Sequence, residues 1–139
     1  WQLLIRLVGK DHQRGVAVLV STPYMDEAAR CTRIGFMSGG RLILEGAPAQ
    51  LCARLEGRVA ELIGQPLPAL RRIVENDPGV SGVQMFGDRL HLRALPGQLA
   101  PTLERLAQSL PAQGYEIKQL RPIAPQLEDV FMDLLEARS

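Results

Sequence analysis

Apolar and polar positions divide the chain into runs of different kinds. Val16-Ala17-Val18-Leu19-Val20 is unbroken apolar sequence, the pattern of a strand buried on both faces in a parallel sheet covered by helices. Ser21 and Thr22 end it. Upstream, Leu3, Leu4, Leu7 and Val8 form a helical stripe within Trp1 to Gln13, with Gly15 placed to stop it. Downstream, Met25 to Cys31 combines helix formers with Asp26 and Glu27 in the first turn and Arg30 near the end. These charges suit the helix dipole, so a short helix is expected. Arg33 to Met37 and Arg41 to Glu45 are β-like runs flanking Ser38-Gly39-Gly40, where glycine supplies the positive φ of a tight reversal, and together they predict a hairpin. Pro48 suits the first turn of a helix to about Leu55, and Gly57 breaks the chain after it.

A second pattern follows. Arg58 to Ile63 reads as a strand, and Pro66-Leu67-Pro68 introduces a helix with Leu70, Ile73 and Val74 on one face, closed by Asn76-Asp77-Pro78-Gly79. Val80 to Phe86 and Arg89 to Ala94 are strands around Gly87-Asp88. In the second of them Leu90, Leu92 and Ala94 alternate with Arg89, His91 and Arg93, which predicts one buried face and one wet face. Leu99, Leu103, Leu106, Ala107 and Leu110 form a helical stripe ended by Gly114, and Tyr115 to Leu120 makes a last strand. The order βαββαβ specifies a ferredoxin-like sandwich, four antiparallel strands with two helices on one face. Pro125 to Leu135 then closes as a helix with Leu127, Val130, Phe131, Leu134 and Leu135 on one side. The expected class is thus α/β for residues 1–56 joined to an α+β unit over residues 57–139.

Composition adds mainly exclusions. A chain of 139 residues, 46% hydrophobic, can bury a core of its own. A formal net charge of +1, with no basic run, leaves no footprint for nucleic acid. Cys31 and Cys52 stand apart from any CxxC or Cys/His grouping, so no metal site is expected and both read as small apolar fillers in a reducing compartment. His12 lies in a polar helix end and His91 in an alternating strand with no acid or cysteine beside it in sequence, and both read as surface or half-buried histidines. No apolar run reaches the ~20 residues that span a bilayer, and there is no signal-peptide shape. Arg58 to Leu120 offers no paired carboxylates, no nucleophile with a base and no metal-ligand spacing.

Ser21, Thr22, Tyr24-Met25-Asp26-Glu27-Ala28, Ile34, Met37, Gly39-Gly40, Gly46 and Pro48 resemble the region after the catalytic strand in ATP-binding subunits of ABC transporters, closest to the drug and ABC-2 export branch. Leu127-Glu128-Asp129-Val130-Phe131 separately resembles the segment closing many such exporter subunits, with Gln126 in place of the usual small cap residue. In that family a strand ends in Ser-Thr-His, and the histidine contacts the γ-phosphate. The resemblance places Ser21, Thr22 and Pro23 at this switch loop and Tyr24, Asp26 and Glu27 just beyond it, with no catalytic and no metal-binding residue assigned. Pro23 stands where the histidine would be. A proline has no ionisable group and no N–H, so an ATP site containing it is expected to be slow or silent.

Met37-Ser38-Gly39-Gly40-Arg41 looks like the Leu-Ser-Gly-Gly-Gln signature of the same family. It follows the switch and lies between two β-like runs, so its turn chemistry assigns it to the hairpin instead. No G-x-x-x-x-G-K-[ST] loop is present, nor an apolar strand ending in Asp-Glu. The resemblance therefore implies ATP and Mg in a longer protein and none held by these residues alone. It implies as partners a second nucleotide-binding domain and transmembrane permease subunits, at the cytoplasmic face of a membrane. Residues 1–56 would end the nucleotide-binding domain, and residues 57–139 would be an accessory domain with its closing helix. The alternative from the residues is a stand-alone ferredoxin-like module that regulates or dimerises by binding a small ligand or itself.

The chain opens within a helical pattern, without a cap or a methionine, and is expected to continue a longer sequence. By itself it is expected to self-associate through residues 1–21, where an apolar strand and a helix face lack their native cover.

Overall fold

The computed structural model describes residues 17–137, and the helix expected over Trp1 to Gln13 lies outside them, as does Val16. Ala17 to Val20 have no regular structure and are exposed, Leu19 completely. The buried parallel strand expected there is therefore not formed. Such a strand exists only by pairing with neighbours, and the described residues offer it none.

Helix α1 (Met25–Ala28) is a single turn. Strands β1 (Ile34–Ser38) and β2 (Arg41–Gly46) pair antiparallel as the expected hairpin, with a bulge between Phe36 and Met37. Gly39 and Gly40 both have positive φ, +56° and +73°, as a two-residue reversal of this hand requires. Helix α2 (Pro48–Cys52), extended by a 3-10 turn (Ala53–Leu55), leads into β3 (Val59–Gln65). Then come α3 (Leu67–Glu75), β4 (Val80–Phe86), β5 (Arg89–Ala94), α4 (Leu99–Ala112), β6 (Glu116–Pro122) and α5 (Leu127–Glu136).

The four later strands form one antiparallel sheet in the order β4-β5-β3-β6. One face packs on α3 and α4 through Ala60, Leu62, Val83, Leu90, Leu92, Leu70, Val74, Leu106 and Leu110, all buried. Alternation explains this: in β3 and β5 every second residue is apolar and points the same way.

The other face of the sheet departs from expectation. His91 and Arg93 are buried, Arg93 completely, so β5 is covered on both sides and not wet on one. The cover is α5, which packs on β4 and β5 opposite the other two helices. The same helix reaches the hairpin. Leu127 and Val130 share a second apolar core with Phe36, Leu51, Leu55 and Val59, and the rings of Phe131 and Phe36 lie 5.2 Å apart. A single helix thus fastens the two-stranded hairpin to the four-stranded sheet.

Candidate functional site

Two polar constellations stand out, one at the turn before α1 and one beneath α5. At the first, Thr22 Oγ1 accepts a hydrogen bond from the Tyr24 backbone N–H at 3.1 Å and donates to Glu27 Oε2 at 2.5 Å. The threonine thereby bridges a tight turn to the first helical residues, a local side-chain substitute for a backbone bond. Pro23 sits exposed at the apex of this turn, between exposed Tyr24 and exposed Ser21, and Asp26 points to solvent. The structure therefore brings Thr22, Pro23, Tyr24 and Glu27 together, while Ser21 and Asp26 have no partner described. The Thr22 hydroxyl is committed within the turn.

The second constellation was not anticipated from sequence. His91 Nδ1 lies 3.0 Å from Asp129 Oδ1, and both side chains are buried. The carboxylate accepts, so Nδ1 carries the proton. The surface or half-buried histidine expected at position 91 is instead buried, and its acid partner lies 38 residues along the chain. Asp129 has a second task. Its Oδ2 accepts the backbone N–H of Gln126 at 2.8 Å, satisfying one of the donors left free at the start of α5.

Next along β5, Arg93 donates through Nη2 to Glu136, while its Nε lies 3.9 Å from Asp133. Arg58 also approaches Asp133, and its Nε donates to the Ala94 carbonyl at 2.9 Å. Asp129, Asp133 and Glu136 are spaced to share one face of α5, opposite the bases at alternate positions of β5. Gly82 makes room for this. It lies at a bulge opposite Arg93, and a Cβ there would collide with the Arg93 guanidinium and the Glu136 carboxylate.

Beyond the edge of α5, Glu61 is almost fully buried and accepts from Arg89 at 2.8 Å, Gln119 at 2.7 Å and Arg121 at 3.3 Å. Burial pushes its carboxyl up, but the hydrogen bonds and charges of Arg89 and Arg121 outweigh burial and hold it below the ordinary value. Asp77 is likewise held low, by a hydrogen bond from Arg105 foremost. A lowered native value means that the stabilisation is complete above the unfolded carboxylate range, about pH 4, and is lost as pH falls through the lowered values. Unfolding free energy is expected to decline as the solution is acidified below about pH 5. Glu61→Gln should flatten that decline in urea titrations run at successive pH values. A slope unchanged in both Glu61→Gln and Asp77→Asn would show that these carboxylates do not drive it.

Among the described residues no three His, Cys, Asp or Glu side chains converge as a metal ion needs. Cys31 and Cys52 are unbridged, and burial, with Asp129 and Glu128 nearby, pushes the Cys52 thiol up and away from the reactive thiolate.

The probable multidrug ABC transporter ATP-binding protein YbhF of Escherichia coli is 31% identical over 138 residues, 97% of this chain and 22% of that protein. The chain is homologous to ABC transporter ATP-binding proteins. Nod factor export ATP-binding protein I of Paraburkholderia xenovorans is 35% identical over 136 residues, covering 96% of this chain and 40% of its own length. ATP-binding cassette sub-family A member 7 of Rattus norvegicus is 30% identical over 139 residues, though these make up 6% of it. The chain thus spans well under half the length of the curated relatives it matches. No protein-family model matches it. At the Pro23 turn the Thr22 hydroxyl is already engaged by Glu27 and the Tyr24 N–H, and no chemical step is assigned to the described residues. Among them, no helix is long and apolar enough to cross a membrane.

Proposed function

We propose that this chain is part of the ATP-binding subunit of an ABC exporter, coupling ATP binding and hydrolysis in the whole protein to transport through permease subunits at the cytoplasmic face of the membrane. The observation that carries the reading is the extent of the match to the exporter subunits, which runs over nearly the whole chain. It includes both the hairpin and the closing helix that packs against it.

Within this reading, residues 1–56 end a nucleotide-binding domain and residues 57–139 form an accessory ferredoxin-like domain. The strand order β4-β5-β3-β6, with α3 and α4 on one face, supports the second assignment. Pro23 makes the switch loop degenerate, because neither its ring nor its backbone nitrogen can supply a hydrogen bond to a phosphate. Transporters of this kind sandwich two nucleotides between two nucleotide-binding domains, so a second domain with a complete site would keep the machine working.

Calorimetric titration of these 139 residues with Mg-ATP is expected to show no binding, and micromolar affinity would overturn the reading. In the full-length protein, Pro23→His should preserve transport or raise basal ATP hydrolysis. Abolition of both by that change would mean that proline has a positive task at the loop.

A further inference from the structure

We infer that α5 closes an ionic hinge, about which the hairpin and the four-stranded sheet open and shut against one another. Among the described residues the chain crosses between these two parts twice, at residues 56–58 and at residues 123–126. The crossings lie side by side, for the Ile123 N–H donates to the Val59 carbonyl at 3.0 Å. The covalent connections of the described residues are therefore gathered at one corner, next to the first turn of α5. Two adjacent crossings of this kind let the bodies they join turn by changes in a few connecting residues.

The two sides of α5 are held in different ways. Its apolar side, Leu127, Val130, Phe131 and Leu134, packs with Phe36 of the hairpin and with Leu51 and Leu55 of the α2 segment. Its acidic side meets the sheet through charge: Asp129 on His91, Glu136 on Arg93, and Asp133 near Arg58 and Arg93. The helix thus belongs by apolar burial to the hairpin and by ion pairs to the sheet. Such a joint is not held deeply shut. Arg93 is completely buried, yet its Nε and Nη1 make no hydrogen bond among the described residues. Burying a guanidinium with two unanswered nitrogens offsets much of what its ion pair contributes, and opening returns those donors to water. The end of α5 away from the crossings is already flanked by a cleft of about 380 Å³, bordered by Gly82, Val83, Met132 and Glu136. Turning about the corner at Val59 widens this cleft and parts Arg93 from Glu136 before His91 from Asp129. The strand ladder and the turns of α5 stay whole throughout. This hinge does not depend on the transporter assignment.

The test measures distances between pairs of nitroxide labels by double electron–electron resonance, on the whole chain carrying Cys31→Ala and Cys52→Ala. One pair spans the joint, at the exposed positions of Arg41→Cys in the hairpin and Glu104→Cys on α4. A second pair, Glu104→Cys with Lys118→Cys, lies within the sheet and its helices. Labelled chain is diluted with unlabelled chain, so that each distance is internal to one molecule. Across the joint, two distances are expected, and raising NaCl from about 0.05 M to about 1 M should enlarge the minor population about fivefold, since salt screens the ion pairs and favours the released charges. The pair within the sheet should not change. Arg93→Met combined with Glu136→Leu replaces the buried ion pair by apolar contact and leaves Asp133 its approach to Arg58, so it should shrink the minor population about fivefold or more. A single distance across the joint at every salt concentration overturns the proposal. So does a minor population that the double substitution enlarges, or a salt response shared by both label pairs. Should the doubly substituted chain fail to fold, the salt series on the chain with native Arg93 and Glu136 decides by itself.

Discussion

Asp129→Ala is expected to lower the unfolding free energy by about 3–5 kcal/mol, the range for removing one partner from a buried pair. The aspartate does two things at once. It receives the Nδ1 proton of buried His91, and it caps α5 through the Gln126 N–H. Alanine would leave the imidazole with a desolvated, unanswered N–H, a cost of about 1–3 kcal/mol, and the loss of the cap adds about 1 kcal/mol. Urea unfolding gives the total, and Glu104→Ala on the exposed side of α4 should stay within about 0.5 kcal/mol as a control. The double mutant with His91→Ala should cost less than the two single changes summed, since either change already breaks the pair. Additivity there, or a loss under about 1 kcal/mol for Asp129→Ala, would show that water answers the imidazole and that the pair contributes little.

The second large effect is expected at Phe36. This ring is buried at the meeting point of the hairpin, the α2 segment and α5, in contact with Phe131. Phe36→Ala should cost about 3–5 kcal/mol, since neither the hairpin nor the helix can close over the space left. More telling is where the damage goes. Hydrogen exchange should speed up together in β1, β2 and α5, while β3 and β5 keep their protection through the apolar core beneath α3 and α4. Faster exchange confined to the hairpin would mean that α5 is held by the sheet alone.

Both predictions rest on α5, whose position was half legible. Its existence followed from apolar spacing, as did both hairpins from Ser38-Gly39-Gly40 and Gly87-Asp88 and the βαββαβ order from alternation and stripe. Such signals are local, and local periodicity reports them well. What alternation could not report was the fate of the polar half of β5. His91 and Arg93 look like part of a solvated face because their acid partners lie far along the chain, 38 residues away for Asp129 and 43 for Glu136. A trace was present in the acidic positions 129, 133 and 136, which fall on one helical face beside the apolar one. The opposite error arose at Ala17 to Val20, where the apolar run is real but burial needs neighbours the described residues do not include. At the turn before α1 the resemblance grouped Thr22, Pro23, Tyr24 and Glu27, yet only the folded chain reveals that the threonine hydroxyl is already engaged.

The position of α5 in chain order has a consequence for synthesis. Every strand of the four-stranded sheet leaves the ribosome before this helix does, so for a time the sheet has its α3 and α4 side complete and its other side bare. At the usual pace of about 5–20 residues per second the wait is brief, but during it Arg93 and His91 must remain hydrated. Their charge and polarity keep that surface wet and unattractive to other nascent chains until α5 arrives with the matching acids. Leucines in their place would leave Asp129 and Glu136 without partners once folding was complete, and would leave the half-made protein sticky in the meantime.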